Sequence, residues 1–315
     1  MPAPLISIVV PAYNEALSLP LLHQRLLAVL DTNSLRAEVL YVNDGSKDST
    51  LSVMQSLRAQ DARVAIIDLS RNFGKEIAMS AGLDHARGDA VIIIDADLQD
   101  PPELIPRMVE AWKQGYDQVE MRRSKRRGES ASKRLTASVF YRVARRISDV
   151  PIPMEVGDFR LLSRRAVESL RQLRERNRFM KGLFAWIGHP RVQIDYERAP
   201  REQGRTKWDF WRLWNFAIEG ITSFSVAPLK VASYLGLIVA TGSFAYGLYV
   251  VMKTLLYGDP VRGYPSLMTV ILFLGGVQLI AIGVLGEYVG RMFTETKQRP
   301  LYLINQFLPS SADRT

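Results

Sequence analysis

The sequence predicts an α/β domain built on a mostly parallel sheet, followed by a juxtamembrane amphipathic helix and two membrane-crossing helices. Three observations predict it. Short apolar runs rich in β-branched residues alternate with helix-like stretches through the first hundred residues. Two later runs of about 20 residues carry no charge, the length a helix needs to cross ~30 Å of hydrocarbon. Ahead of the first of these, three tryptophans fall at helical spacing.

The strand-like runs are Ile6–Val10, Glu38–Val42, Val64–Leu69 and Ala90–Ile94, and the helix-like stretches between them are Leu19–Leu30, Ser49–Ala59 and Lys75–Ala86. Strands alternating with helices close into a parallel sheet with helices on both faces. Ligands bind such sheets beyond the carboxyl ends of the strands. The residues after each run are therefore the ones to read for chemistry. They are Pro11-Ala-Tyr-Asn-Glu15, Asn43-Asp-Gly-Ser-Lys-Asp48, Ser70-Arg-Asn-Phe-Gly-Lys-Glu76 and Asp95-Ala-Asp-Leu-Gln-Asp100. Gly45 permits a sharp turn, and Asp48 or Ser49 can cap the next helix. Acidic groups end three of the four strands and converge on one edge. Asp95 and Asp97, one residue apart, can both reach a hard cation such as Mg²⁺ or Mn²⁺ that shares diphosphate oxygens.

The apolar runs are Val231–Met252 and Ser266–Gly286, joined by a short loop rich in turn formers, so they form an antiparallel hairpin. Lys230, Arg291, Lys297 and Arg299 flank the end shared with the large domain, which places both termini on the cytoplasmic side. Met1–Leu5 lacks a basic n-region and Ile6–Val10 is too short for an h-region, so no signal peptide is expected. Two buried core helices of a soluble protein are the alternative to spans. Trp208, Trp211, Trp214 and Ile218 suit a helix lying in the headgroup layer. The expected organisation is a sheet domain over 1–205, an amphipathic juxtamembrane region over 206–228, the hairpin over 229–291 and a cytoplasmic tail over 292–315. A chain cut after Pro228 is expected to leave a soluble sheet domain. Ala232, Gly236 and Ala240, like Gly286 and Gly290, form small-residue stripes that can pack the hairpin or build an oligomer.

Composition narrows the partners. The formal net charge is +9, which points to polyanions: an anionic membrane surface, phosphorylated substrates or nucleic acid. The basic residues cluster near the spans and no nucleic-acid motif appears, so nucleic acid is not expected as a partner. There is no cysteine, which excludes disulfides, thiolate chemistry and Cys-based zinc sites. Arg122–Arg146 holds ten basic residues against Glu129, a stretch fit to meet lipid headgroups and a phosphate, with Lys133 and Arg134 at its centre.

Val10-Pro-Ala-Tyr-Asn-Glu15, Val42-Asn-Asp-Gly-Ser-Lys-Asp48, Asp95-Ala-Asp-Leu-Gln99 and Gly157-Asp-Phe-Arg160, in this order, resemble the family 2 glycosyltransferases of Rossmann-like GT-A fold. Arg71-Asn-Phe-Gly-Lys-Glu76, Arg176-Asn-Arg-Phe-Met-Lys-Gly182, Gly220-Ile-Thr-Ser-Phe-Ser225 and the two-span tail ending Leu285-Gly-Glu-Tyr-Val-Gly-Arg291 look most like the bactoprenol glucosyltransferases of the polyprenyl-phosphate branch. The resemblance implies that one sugar moves, with inversion, from a nucleotide-sugar donor to polyprenyl phosphate: glucose from UDP-glucose, or alternatively mannose from GDP-mannose, an amino-arabinose derivative or N-acetylglucosamine. It implies a nucleotide site of Pro11, Tyr13, Glu15, Asp44, Lys75, Asp95 and Ala96. Asp95, Asp97 and Gln99 would surround a Mg²⁺ or Mn²⁺ ion. Lys133, Arg134, Arg205 and Lys207 would meet the diphosphate or the acceptor phosphate. Asp158 would lie at the donor sugar and acceptor, as a catalytic base or as an orienting group. Relatives also imply a homo-oligomer, a tetramer among the possibilities. The absence of Gln-x-x-Arg-Trp favours a single transfer over polymerisation. A degenerate, non-catalytic membrane scaffold is the remote alternative.

Overall fold

The computed structural model describes residues 3–123, 156–197, 227–257 and 263–311. Lys133, Arg134, Arg205, Lys207 and the tryptophan segment lie outside the described residues. One mixed sheet of eight strands organises the chain. In chain order they are β1 (Ile6–Ala12), β2 (Ala37–Asn43), β3 (Val64–Leu69), β4 (Ala90–Ile93), β5 (Gln118–Arg123), β6 (Val156–Ser163), β7 (Arg191–Tyr196) and β8 (Ile304–Leu308). Their order across the sheet is β7-β5-β6-β4-β1-β2-β3-β8. The four strands expected from the sequence, β1 to β4, form the parallel centre. β6 runs antiparallel to β4, and β8 antiparallel to β3.

β1 to β4 are buried along their whole lengths, which is why they read as predominantly apolar runs, interrupted by the buried polar residues Ser7, Glu38, Asn43 and Asp68. Helices cover both faces. Ile6, Ile8 and Val10 of β1 join a core with α1 (Leu19–Thr32), α2 (Thr50–Gln60) and α4 (Ile105–Lys113). Val9 points the other way, into a core with α3 (Lys75–His85), α5 (Arg164–Gln172) and α6 (Met180–Trp186). Each such side chain stabilises the fold by roughly 1.5–3 kcal/mol on full burial. Gly82 lets α3 lie directly on β1, since a Cβ there would meet Val9 Cγ1 at 2.2 Å. That close approach fixes the height of Lys75 at the start of the same helix.

α7 (Ala227–Tyr257) and α8 (Tyr264–Thr296) pack against each other as a hairpin. Each contains a stretch long and apolar enough to cross a membrane, Leu229–Tyr257 and Phe273–Thr296, and the most apolar part of each is not buried within the chain. Neither is a buried core helix of the sheet domain, and both are candidate membrane spans. α8 continues to Thr296, and the chain then returns to the sheet as β8 instead of trailing away. A cut after Pro228 would thus remove a strand of the sheet together with both helices. β8 escaped sequence reading because Ile-Asn-Gln-Phe-Leu is short, half polar and stranded beyond the apolar helices.

Candidate active site

The carboxyl ends of β1, β2 and β4, together with the loop after β3, enclose a cavity of about 290 Å³. Pro11, Tyr13 and Glu15 line it from β1. Asp44 comes from β2, Asn72, Gly74 and Lys75 from the loop and α3, and Asp95, Ala96 and Asp97 from β4. Every nucleotide-site residue named from the sequence thus lines this one cavity. Gln99 is not among the lining residues, and its backbone N–H donates to Asp97 Oδ1 at 3.1 Å. Asn72, Gly74 and Ala78 also line the cavity and had not been singled out.

Local hydrogen bonding explains these placements. Asn14 adopts a left-handed conformation, φ 56°, and its side-chain oxygen accepts from Lys47 N at 2.8 Å while its own N–H donates to Ser46 Oγ at 3.0 Å. The loops after β1 and β2 are thereby laced together. The Glu15 carboxylate accepts from Ser18 Oγ at 2.6 Å at the start of α1. Asp48, not Ser49, accepts the free N–H of Thr50 at the start of α2.

Asp44 faces the cavity, but both of its oxygens are engaged. Oδ1 accepts from Phe73 N at 2.7 Å and Oδ2 from Gly74 N at 3.0 Å. Burial pushes its carboxyl up, against the pull of these two N–H groups. Asp44 is thus a clamp on the 71–74 loop as well as part of the wall. Gly45 makes the clamp possible. Its φ is 63°, and a Cβ there would stand 2.3 Å from the carbonyl carbon of Arg71.

Lys75 reaches from the first turn of α3 to two carboxylates. Its Nζ is 2.6 Å from Asp95 Oδ1 and 2.5 Å from Asp158 Oδ2. The antiparallel register pairs Ile93 with Arg160. Continued by two residues, it sets Asp95 opposite Asp158, a like-charge pair that repels unless a cation intervenes. Lys75 is that cation. Burial alone would raise the Asp158 carboxyl, but Lys75 and then Lys181 outweigh it and hold Asp158 well below the usual carboxylate range. Burial alone would lower the Lys75 ammonium, but Asp95 and Asp158 carry it upward instead. Asp158 Oδ1 is buried with no hydrogen-bond partner, and Asp95 Oδ1 meets the ammonium off the direction a hydrogen bond needs.

Behind this trio, Glu76 Oε2 accepts from Met180 N at 2.9 Å, tying α3 to α6. Burial and then Asp158 push its carboxyl up to about 7, against Met180 N–H and Lys75. Arg160 is buried beneath Asp158, stacked 3.7 Å over Phe184 and 3.8 Å from Glu120. Asp100, at the end of the acidic turn, is fully buried and accepts from Tyr196 Oη at 2.6 Å, which ties β7 to that turn.

The residues fit a shared cation better than a closed metal cage. Among the described residues, no three His, Asp or Glu side chains converge on one point. Asp95 and Asp97 both line the cavity, and the remaining oxygens would have to come from a bound ligand.

Residues 7–171 match the family Glycosyl transferase family 2, and residues 227–292 match the GtrB C-terminal hairpin. The chain is 53% identical over 300 residues to an uncharacterized glycosyltransferase of Synechocystis sp., covering 95% of this chain and 94% of that one. It is 50% identical over 299 residues to a bactoprenol glucosyl transferase of Shigella phage SfV, covering 95% and 97%. It is 48% identical over 301 residues to a prophage bactoprenol glucosyl transferase homolog of Escherichia coli K12, covering 96% and 98%.

Proposed function

The chain belongs to glycosyl transferase family 2, and on that premise we propose that it transfers one glucosyl unit from UDP-glucose to a polyprenyl phosphate, with inversion at the sugar carbon. The observation that carries this reading is the opposed pair Asp95 and Asp158, bridged by Lys75 at the rim of a nucleotide-sized cavity. Likeness to bactoprenol glucosyl transferases along nearly the whole chain, apolar hairpin included, supports the sugar and the lipid acceptor.

Tyr13 and Glu15 would face the nucleoside at the mouth. Asp95 and Asp97 would hold a Mg²⁺ or Mn²⁺ ion, which when bound offsets the charge gathering on the departing diphosphate. Lys75 adds a fixed positive charge beside it. A phosphate monoester is already ionised at neutral pH and needs no strong base to attack the sugar. Asp158 is also a poor base, because Lys75 and Lys181 hold its carboxyl well below the usual range. Its role is therefore to orient Lys75 and the sugar. The basic stretch around Lys133 and Arg134, with Arg205 and Lys207, would receive the acceptor phosphate at the membrane surface. The α7–α8 hairpin would cross the bilayer with both chain ends on the cytoplasmic side.

A transfer assay in detergent tests this reading, with labelled UDP-glucose, undecaprenyl phosphate and Mg²⁺ or Mn²⁺. Label should enter the lipid phase and be lost in Asp97→Ala. Intact UDP binding without lipid label would reject glucose and redirect the search to other donors.

A further inference from the structure

β8 joins the sheet from beyond α8, and its pairing with β3 is irregular at one place. Asp68 faces Gln306 and Leu69 faces Ile304, which leaves Asn305 as an extra residue. A bulge of this kind takes one side chain out of the regular alternation and re-aims it. Asn305 Nδ2 donates to Asp68 Oδ2 at 2.9 Å. The other Asp68 oxygen accepts from Asn43 Nδ2 at 2.7 Å, and Asn43 Oδ1 accepts from Ser46 N at 3.2 Å. Asp68 and Asn43 are both buried.

This chain of hydrogen bonds ends beside the cavity. Asn43 precedes Asp44, whose carboxylate clamps Phe73 and Gly74. β8 also holds the same loop directly, since Leu303 O accepts from Ser70 N at 2.9 Å. The loop carrying Asn72, Gly74 and Lys75 is thus gripped at its first residue by the backbone ahead of β8. It is gripped at its last residues through Asn305, Asp68, Asn43 and the Asp44 turn. Neither Asn305 nor Asp68 lines the cavity.

We infer that Asn305 is a positioning residue for the nucleotide-sugar, and that the segment following the second apolar helix completes the donor site. The inference rests on the donor reading given above. Edge protection of β3 alone would need only the β8 backbone. The bulge and the buried Asn43–Asp68 pair are what carry the effect from Asn305 to the loop.

The test uses the full-length protein in detergent and compares wild type, Asn305→Ala, Asn305→Asp and the double exchange Asp68→Asn with Asn305→Asp. UDP binding by calorimetry, KM for UDP-glucose, KM for undecaprenyl phosphate and the unfolding midpoint are measured for each. Asn305→Ala should weaken UDP binding and raise the donor KM roughly tenfold, the scale of one lost hydrogen bond to a charged group. The lipid KM should not change. Asn305→Asp, which sets two carboxylates face to face, should lose at least as much. The double exchange keeps both hydrogen bonds at position 68, the one to position 305 with donor and acceptor reversed and the one from Asn43 Nδ2 unchanged in direction, and should restore binding to within about twofold of wild type. Unchanged UDP binding in both single variants would overturn the inference. So would equal rises in both KM values with a lowered unfolding midpoint, the mark of a purely structural role. Failure of the wild type itself to bind UDP would overturn the donor reading, and this inference with it.

Discussion

Lys75 Nζ stands 2.5 Å from Asp158 Oδ2, and the same ammonium neutralises Asp95, which lies two residues beyond the last pair of the β4–β6 ladder, as Asp158 does on the facing strand. Lys75→Met should leave two carboxylates facing each other across a gap suited to a cation. We expect turnover to fall at least about tenfold, a barrier change near 1.4 kcal/mol. We also expect the apparent affinity for Mg²⁺ or Mn²⁺ to rise, because the ammonium no longer competes for Asp95. A metal titration of the transfer rate checks both. Unchanged metal affinity would separate Lys75 from the cation site.

Glu76 gives the fold a pH dependence opposite in sign to that of most carboxylates. Its carboxyl is raised from an ordinary value of 4.5 to about 7. Between those values the folded chain keeps a proton that the unfolded chain has released, so stability falls as pH rises through the window. The contribution is at most on the order of 3 kcal/mol. Glu76→Gln should remove that part of the slope, raising the unfolding midpoint at pH 8 relative to pH 5 when compared with wild type.

Gly45→Ala should disturb the 71–74 loop through backbone alone. It adds a side chain at φ 63° that would overlap the Arg71 carbonyl carbon. Strain of this kind costs about 1–3 kcal/mol. The expected result is weakened UDP binding with a lowered unfolding midpoint, since the 71–74 loop cannot close on Asp44.

Arg160→Met should be strongly destabilising, because it leaves Glu120 buried without its nearest guanidinium. Breaking such a pair costs about 3–5 kcal/mol. Adding Glu120→Gln to Arg160→Met should recover much of the loss in a thermal unfolding measurement.

The sequence made the centre of the sheet legible and its margins opaque. β1 to β4 are buried on both faces, so Ile6–Val10 or Ala90–Ile93 could be recognised from apolarity alone. β5 and β7 could not. Gln118–Arg123 is half polar because Glu120 is matched by buried Arg160 across the sheet, a pairing no local pattern reveals. Arg191–Tyr196 is largely exposed along one face. The site followed the same rule. The acidic strand ends announced the cavity, since topology alone brings strand ends together. The clamp of Asp44 on Phe73 and Gly74 was hidden, because it depends on how one loop folds over another. Likewise, the register that sets Asp158 against Asp95 required β6, a strand the apolar pattern did not mark.

A chain ending at Thr296 should retain both apolar helices yet show exposed-edge behaviour. Without β8, the backbone of β3 has no partner on its outer side. We expect this truncation to aggregate and to lose UDP binding, and the measurement is size-exclusion chromatography in detergent with a UDP titration.

The return of the chain to β3 also sets a timetable for its synthesis. Residues 304–308 leave the ribosome after both apolar helices have been made, so the sheet keeps an open flank throughout translation of the hairpin. The last strand laid down is the one that shuts it. Closure of the sheet along β3 is thus deferred until both apolar helices have been made, and a chain released early carries an unfinished sheet.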